Sequence, residues 1–299
     1  MACRVFWRRS VPLFALLGVV GGACSERAAG REGEGRIADV VVAPRDEDGS
    51  GREAADRDPT DRGAAGTRDV DARLLARAAG GADGTLYTVS AQANSGFIVG
   101  TVGGGAPRDT SITPTHDHGV CRPFTQSLVP SRDGGVGNSV VWLVGVARGP
   151  KNDAPRRVRV LLDGCRIEPR VQRIAAGGTA MITSRDAMMT RLQFIDVGAN
   201  TPSRGTVLLS DAGQVVPTSD AARAPGLVQI RDDLHPWVRA YLAVSPHPFV
   251  AVTEADGRFR FDDIPPGRYV LVVWHERLGT RQQRVKVDGN VETRVAISY

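Results

Sequence analysis

An all-β chain, folded as two small β-sandwiches behind a disordered N-terminal tether, is the architecture this sequence predicts. Three observations lead there. From residue 97 onward, short runs rich in Val, Ile, Leu and aromatics recur, each closed by Gly, Pro, Asp or Asn. No segment keeps a helical apolar period over three turns, so a βαβ layout has no support. A length of about 200 residues in evenly spaced strands suits two small cores better than one large one. The expected strands fall at 97–102, 139–146, 157–162, 170–174, 180–183, 191–197, 206–210, 227–231, 238–244, 250–253, 258–261, 269–275, 284–287 and 292–297.

The N-terminus carries Arg4, Arg8 and Arg9, an apolar run over 11–20, and then Gly21-Gly22-Ala23-Cys24. A basic start, an apolar centre and small residues before a cleavage point make residues 1–23 a secretory signal. The apolar run is too short for a helix to cross a hydrocarbon layer of about 30 Å. The closing Val-Gly-Gly-Ala-Cys resembles a bacterial lipobox, which implies lipidation of Cys24; Gly21 stands where that pattern usually has Leu. Cleavage after Ala23 to release a soluble protein is the alternative. Residues 24–90 are mostly Gly, Ala, Arg, Asp and Glu, a composition that buries too little apolar surface to offset its ordering entropy, so a disordered linker is expected.

Cysteine usage fits export. The chain has four cysteines. Cys3 leaves with the signal and Cys24 is claimed at the tether, so Cys121 and Cys165 remain for a structural disulfide. Neither lies in a Cys-x-x-Cys, and neither has a metal-ligand partner at short spacing. From residue 91 onward there are 25 basic and 19 acidic side chains, nearly all of the basic ones Arg. Such a surface could draw anionic headgroups or phosphorylated glycans. Export and the absence of a nucleic-acid-binding signature argue against nucleic acid as a partner.

The segment Phe249 to Glu276 resembles the carboxypeptidase regulatory-like family, a transthyretin-like β-sandwich. Its marks are Asp256-Gly257-Arg258-Phe259, expected to close a tight hairpin, and Pro265-Pro266-Gly267-Arg268-Tyr269, expected to turn the chain before a buried strand. The run Gly96 to Val102 matches that family's first strand, with Phe97 and Ile98 in apolar places. Because it lies far upstream, the sandwich is expected to be discontinuous: 91–155 its first part, 247–299 its last part, and 156–246 a second domain between them.

That second domain resembles a degenerate cupredoxin-like Greek key, inserted in or joined to the transthyretin-like sandwich. A cupredoxin copper site needs His, Cys, His and often Met. On the resemblance those places fall at Thr190, Asp232, His235 and Val238, so one ligand of four survives. Arg170, Arg185 and Arg191 are expected near the same place, where their charge opposes a cation. No metal and no cofactor is therefore expected.

The remaining histidines offer two constellations. His116 and His118 flank Asp117 in a polar loop, where exposed side chains are the ordinary outcome. His235, His247 and His275 belong to motifs that the resemblance carries, and they are expected to meet where the sandwiches join, with Trp237, Phe249 and Trp274 around them and Glu276 nearby. Such a junction cluster is either a set of hydrogen-bonded buried imidazoles or a metal site. No enzyme signature is present: no Gly-x-Ser-x-Gly, no His-Glu-x-x-His, and the glycines at 103–105 open no helix. Acidic pairs at Asp232-Asp233 and Asp262-Asp263 fall in turns, where neighbouring side chains diverge. The expectation is a non-enzymatic lipoprotein of the bacterial cell envelope, in the periplasm or at the outer membrane, acting as a binding or structural module for a glycan or a protein partner. The alternative is a copper protein serving electron transfer or metal handling.

Overall fold

The computed structural model describes residues 87–198 and 203–299, which lie within one compact unit. The signal, Cys24 and almost all of the linker fall outside the described residues. Within them the chain is nearly all β, arranged as two stacked sandwiches. The inserted sandwich pairs a four-stranded sheet with a five-stranded one. The four-stranded sheet runs in the order Val215–Thr218, Thr179–Ser184, Arg157–Leu162, Ile167–Glu168. The five-stranded sheet runs Ser203–Leu209, Thr190–Asp196, Gly226–Asp232, Arg239–Ser245, Val171–Ala175. Two of the pairings, 157–162 with 179–184 and 171–175 with 241–245, are parallel and the rest antiparallel.

The other sandwich is assembled from both ends of the described chain. Gly96–Gly103 pairs in parallel with Glu292–Ser298 and antiparallel with Arg258–Ile264. Val140–Val144 lies between Val250–Val252 and Gly267–His275, and Gly279–Val287 closes that sheet at the far edge. Strands before residue 145 thus complete sheets with strands after residue 249.

Alternation along the central strands explains how the sandwiches stack. On 239–245, Ala240, Leu242 and Val244 enter the core of the inserted sandwich, whereas Tyr241 and Ala243 face the other way. On 140–144 and 267–275, Val141, Leu143, Leu271 and Val273 fill the second sandwich, and Val140, Trp142 and Trp274 face outward to meet Tyr241 and Ala243. Strand 239–245 is therefore covered on both faces, which is why it reads as a near-continuous apolar run rather than an alternating one. Tyr241 and Trp274 meet edge to face at 4.8 Å.

Two local expectations are corrected. The Asp256-Gly257 turn closes no hairpin, because 250–252 and 258–264 belong to different sheets. Gly257 has φ +70°, and a Cβ there would collide with the carbonyl oxygen of Val102, so glycine is required both for the turn and for close passage over the first strand. The pair Arg108–Ile112 and Phe124–Val129 forms a two-stranded ribbon that the strand pattern missed. The Pro-Pro-Gly corner is as expected for a turn, with Tyr269 donating its hydroxyl hydrogen to the carbonyl of Pro265 at 2.7 Å.

Candidate functional site: an imidazole held between two carboxylates

Strand 226–232 ends in Asp232, and the chain returns through Asp233-Leu234-His235-Pro236-Trp237 into strand 239–245. Asp232 N–H donates to the Val238 carbonyl at 3.2 Å and Val238 N–H to the His235 carbonyl at 2.9 Å, closing the loop. The Asp232 carboxylate organises its interior. Oδ1 accepts from the backbone N–H of Arg191 at 3.0 Å and of Leu234 at 3.1 Å, and Oδ2 meets His235 Nδ1 at 2.5 Å. An Asx turn of this kind is the local reason an Asp ends the strand.

The other imidazole nitrogen, Nε2, is 2.8 Å from Oδ2 of Asp117. His235 and Asp232 are each 1% exposed, and the Trp237 ring stands edge-on to the imidazole at 5.3 Å. Burial disfavours the charged ring, but the hydrogen bonds and charges of Asp117 and Asp232 outweigh it, so the His235 pKa is raised. Once protonated, the ring can donate from both nitrogens, so the imidazolium bridges the two carboxylates. The ring nitrogens point in opposite directions, so the carboxylates lie on opposite sides of the ring and do not converge on a point where a single ion could bind both.

Asp117 is held in place from its own side. It adopts φ +50°, and its carbonyl accepts from the N–H groups of Val120 and Cys121, both at 2.8 Å. Cys121 is bonded to Cys165, with Cα atoms 5.6 Å apart, so the expected disulfide anchors the Asp117 turn to the inserted sandwich. His116 and His118 are exposed on either side of Asp117. The middle residue of His-Asp-His is thus the one that reaches the site, and sequence reading passed over it. Its signal was its place four residues before the buried cysteine, in a turn that favours Asp at positive φ.

Thr190 and Val238, which the resemblance placed with Asp232 and His235, are fully buried. The arginines expected there separate. Arg191 gives its backbone N–H to Asp232 and pairs its guanidinium with Asp233 at 3.0 Å. Arg185 pairs with Asp163 at the surface. Arg170 is at the sandwich junction, where it grips the Glu276 carboxylate with Nε and with Nη2 at 2.7 Å, and reaches Gln126 Oε1 at 2.9 Å and the Arg239 carbonyl at 3.1 Å. Arg170 and Glu276 side chains are 8% and 5% exposed, so this is a desolvated ion pair.

The expected junction cluster of histidines does not assemble. His235 is packed with Trp237, His247 with Tyr87 and Phe249, and His275 with Tyr299. Trp274 is in the junction core but His275, one residue on, falls on the opposite face of its strand. Phe249 belongs to the core of the second sandwich. Among the described residues no three His, Cys, Asp or Glu side chains are placed to hold a metal ion. His247 and His275 are neutral at neutral pH, burial pushing each down to about 4.

No family model matches the chain, and no curated protein does. Among solved structures, a mutant of amicyanin in its reduced Cu(I) form is 16% identical, with a TM-score of 0.26 over 30% of this chain and 82% of its own. A purple cupredoxin from Nitrosopumilus maritimus is 17% identical, with a TM-score of 0.25 over 29% of this chain and 99% of its own. A copper-containing nitrite reductase from Thermus scotoductus is 16% identical, with a TM-score of 0.23 over 33% of this chain and 31% of its own.

Proposed function

We propose that this chain is a non-enzymatic cell-envelope lipoprotein, anchored through Cys24, that acts as a binding or structural module and whose cupredoxin-like insert works without a metal at the position of the lost copper site. The observation that carries the metal-free part is the double engagement of His235. Both ring nitrogens meet carboxylates, one of them Asp232 at the place where a thiolate would be needed. A carboxylate–imidazolium–carboxylate bridge takes over the work of a metal as a local crosslink: it ties the 233–237 loop to the Asp117 turn. The export signal, the lipobox-like Cys24 and the disulfide support the envelope location. The ligand class, an envelope glycan or a partner protein, rests on analogy at the level of fold alone.

The test is metal content and location of the full-length protein. It is expected to carry no stoichiometric copper or zinc when purified without chelator and offered Cu(II) or Zn(II) with its disulfide intact. It should also partition with membranes, and a Cys24→Ser variant should not. Stoichiometric copper with an intense visible band overturns the metal-free reading, and membrane partition that is unchanged in Cys24→Ser overturns the anchor.

A further inference from the structure

The disulfide has a third sulfur beside it. Met188 Sδ is 3.4 Å from Cys121 Sγ and 3.8 Å from Cys165 Sγ, and the three residues are 4%, 2% and 0% exposed. A methionine that only filled space would turn its sulfur to whatever gap the core offered. Here the thioether faces both cysteine sulfurs at once, and all three residues belong to the buried core of the inserted sandwich. Three elements far apart in sequence supply the set: the Asp117 turn, the loop after strand 157–162, and the loop before strand 190–196.

We propose that the dithiol form of this protein binds one soft monovalent metal ion, copper(I), between the thiolates of Cys121 and Cys165 and the thioether of Met188. Two thiolates and a thioether are the donors that select Cu(I) over hard, strongly hydrated cations. Three sulfurs at about 2.3 Å from a common centre lie about 4 Å apart. The two methionine–cysteine separations are already close to that value, so only the two cysteine sulfurs must part. The chemistry balances with a dithiol reductant. It supplies two electrons and two protons, the sulfur–sulfur bond breaks to give two thiols, and the reductant becomes a disulfide. On binding Cu(I) both thiols lose their protons to solvent. The site is separate from His235 and leaves the metal-free reading of the disulfide form intact. It makes the inserted sandwich a redox-dependent holder of Cu(I), empty when the disulfide is closed.

Full-length protein carrying Cys3→Ser and Cys24→Ser keeps Cys121 and Cys165 as its only cysteines. It is reduced anaerobically, freed of reductant and titrated with Cu(I) against a chromophoric Cu(I) chelator, with circular dichroism followed on the same samples. One Cu(I) per reduced chain is expected, and none in the disulfide form. Met188→Leu conserves volume and the disulfide, so it should keep the native spectrum when oxidised. When reduced, it should bind Cu(I) at least about tenfold more weakly, the low end of what loss of even a supporting residue costs a metal site. A reduced chain that takes up no more Cu(I) than the oxidised one overturns the proposal, as does equal affinity in Met188→Leu. If reduction unfolds the chain, one equivalent of Cu(I) must restore the native spectrum; uptake without refolding also overturns it.

Discussion

Asp117 and His235 are 118 residues apart in the chain and 2.8 Å apart in space, carboxylate Oδ2 against imidazole Nε2. This one contact joins the turn before the disulfide to the loop that ends strand 226–232. With Asp232 on the other nitrogen it converts a lone histidine into a closed, charged bridge. What the site can do follows from which of its three members is exposed: Asp117 is about half exposed, whereas His235 and Asp232 are buried.

Asp117→Asn should lower the His235 midpoint, seen by NMR titration of the ring. Because the folded-state pKa is raised, the stability it confers is fully present below the unfolded value near 6.5 and is lost as pH rises through the folded value. The variant is therefore expected to cost about 1 kcal/mol at pH 6, discounted for the half-exposed carboxylate, and less at pH 9. Denaturant unfolding at the two pH values checks this, and a cost that grows with pH contradicts it.

Asp232→Ala should cost more, about 3 kcal/mol, because it strips the acceptor from two backbone N–H groups and leaves the buried Nδ1 of His235 without its carboxylate, with Asp117 alone on the ring. Asp232→Asn should fall between Ala and the parent, since an amide oxygen still accepts from Arg191 and Leu234. Urea midpoints of the three proteins give the order, and equal midpoints for Ala and Asn would show that the backbone bonds contribute nothing.

The strands were legible because their composition is dictated by burial on one or both faces, and the disulfide because, with Cys3 and Cys24 assigned to the expected signal and tether, only Cys121 and Cys165 were left to pair. The ribbon at 108–112 and 124–129 was not, because Arg108-Asp109-Thr110-Ser111-Ile112 is mostly exposed and carries no apolar alternation. The aspartates were harder still. Asp232 was noticed for the cysteine it is not and as half of an acidic pair expected to diverge, and Asp117 gave no hint of a partner 118 residues away. One part of the expected histidine cluster was excluded by the sequence itself: a strand alternates, so Trp274 and His275 could not share a face.

Cys121→Ala with Cys165→Ala should destabilise the protein by roughly 4 kcal/mol on the loop-entropy estimate for a separation of 44 residues. The same variant should also move the His235 midpoint in the direction of Asp117→Asn, because the Asp117 turn loses its anchor. Denaturation and ring titration together check it. A stability loss with an unmoved His235 would mean that the turn holds its shape without the disulfide.

The junction pair makes a prediction of a different form. Arg170→Ala or Glu276→Ala alone should cost about 3 kcal/mol or more, because each leaves the other charge buried without its partner. Arg170→Met with Glu276→Leu should recover much of that loss. A double-mutant cycle measures the coupling, and simple additivity of the two single changes would show that the pair contributes no mutual stabilisation.

Acid should weaken the fold through two other histidines, in a pH window distinct from that of His235. His247 and His275 are buried and neutral, each with a pKa pushed down to about 4 by burial. In His275 the pull of Glu276 is opposed by Arg170 and Arg277 and does not offset burial. Above the unfolded value near 6.5 neither group affects stability. As pH falls from there toward 4 the unfolded chain takes up two protons that the folded chain refuses, so unfolding free energy should decline by up to about 2.7 kcal/mol per pH unit. His235 acts in the opposite sense and only above 6.5, so the two trends together place the contribution of these three groups at its most favourable near that pH. His247→Gln and His275→Gln should each remove about half of the acid slope, measured by urea unfolding between pH 7 and pH 4.5. A slope that survives in both variants would assign acid sensitivity to the carboxylates instead.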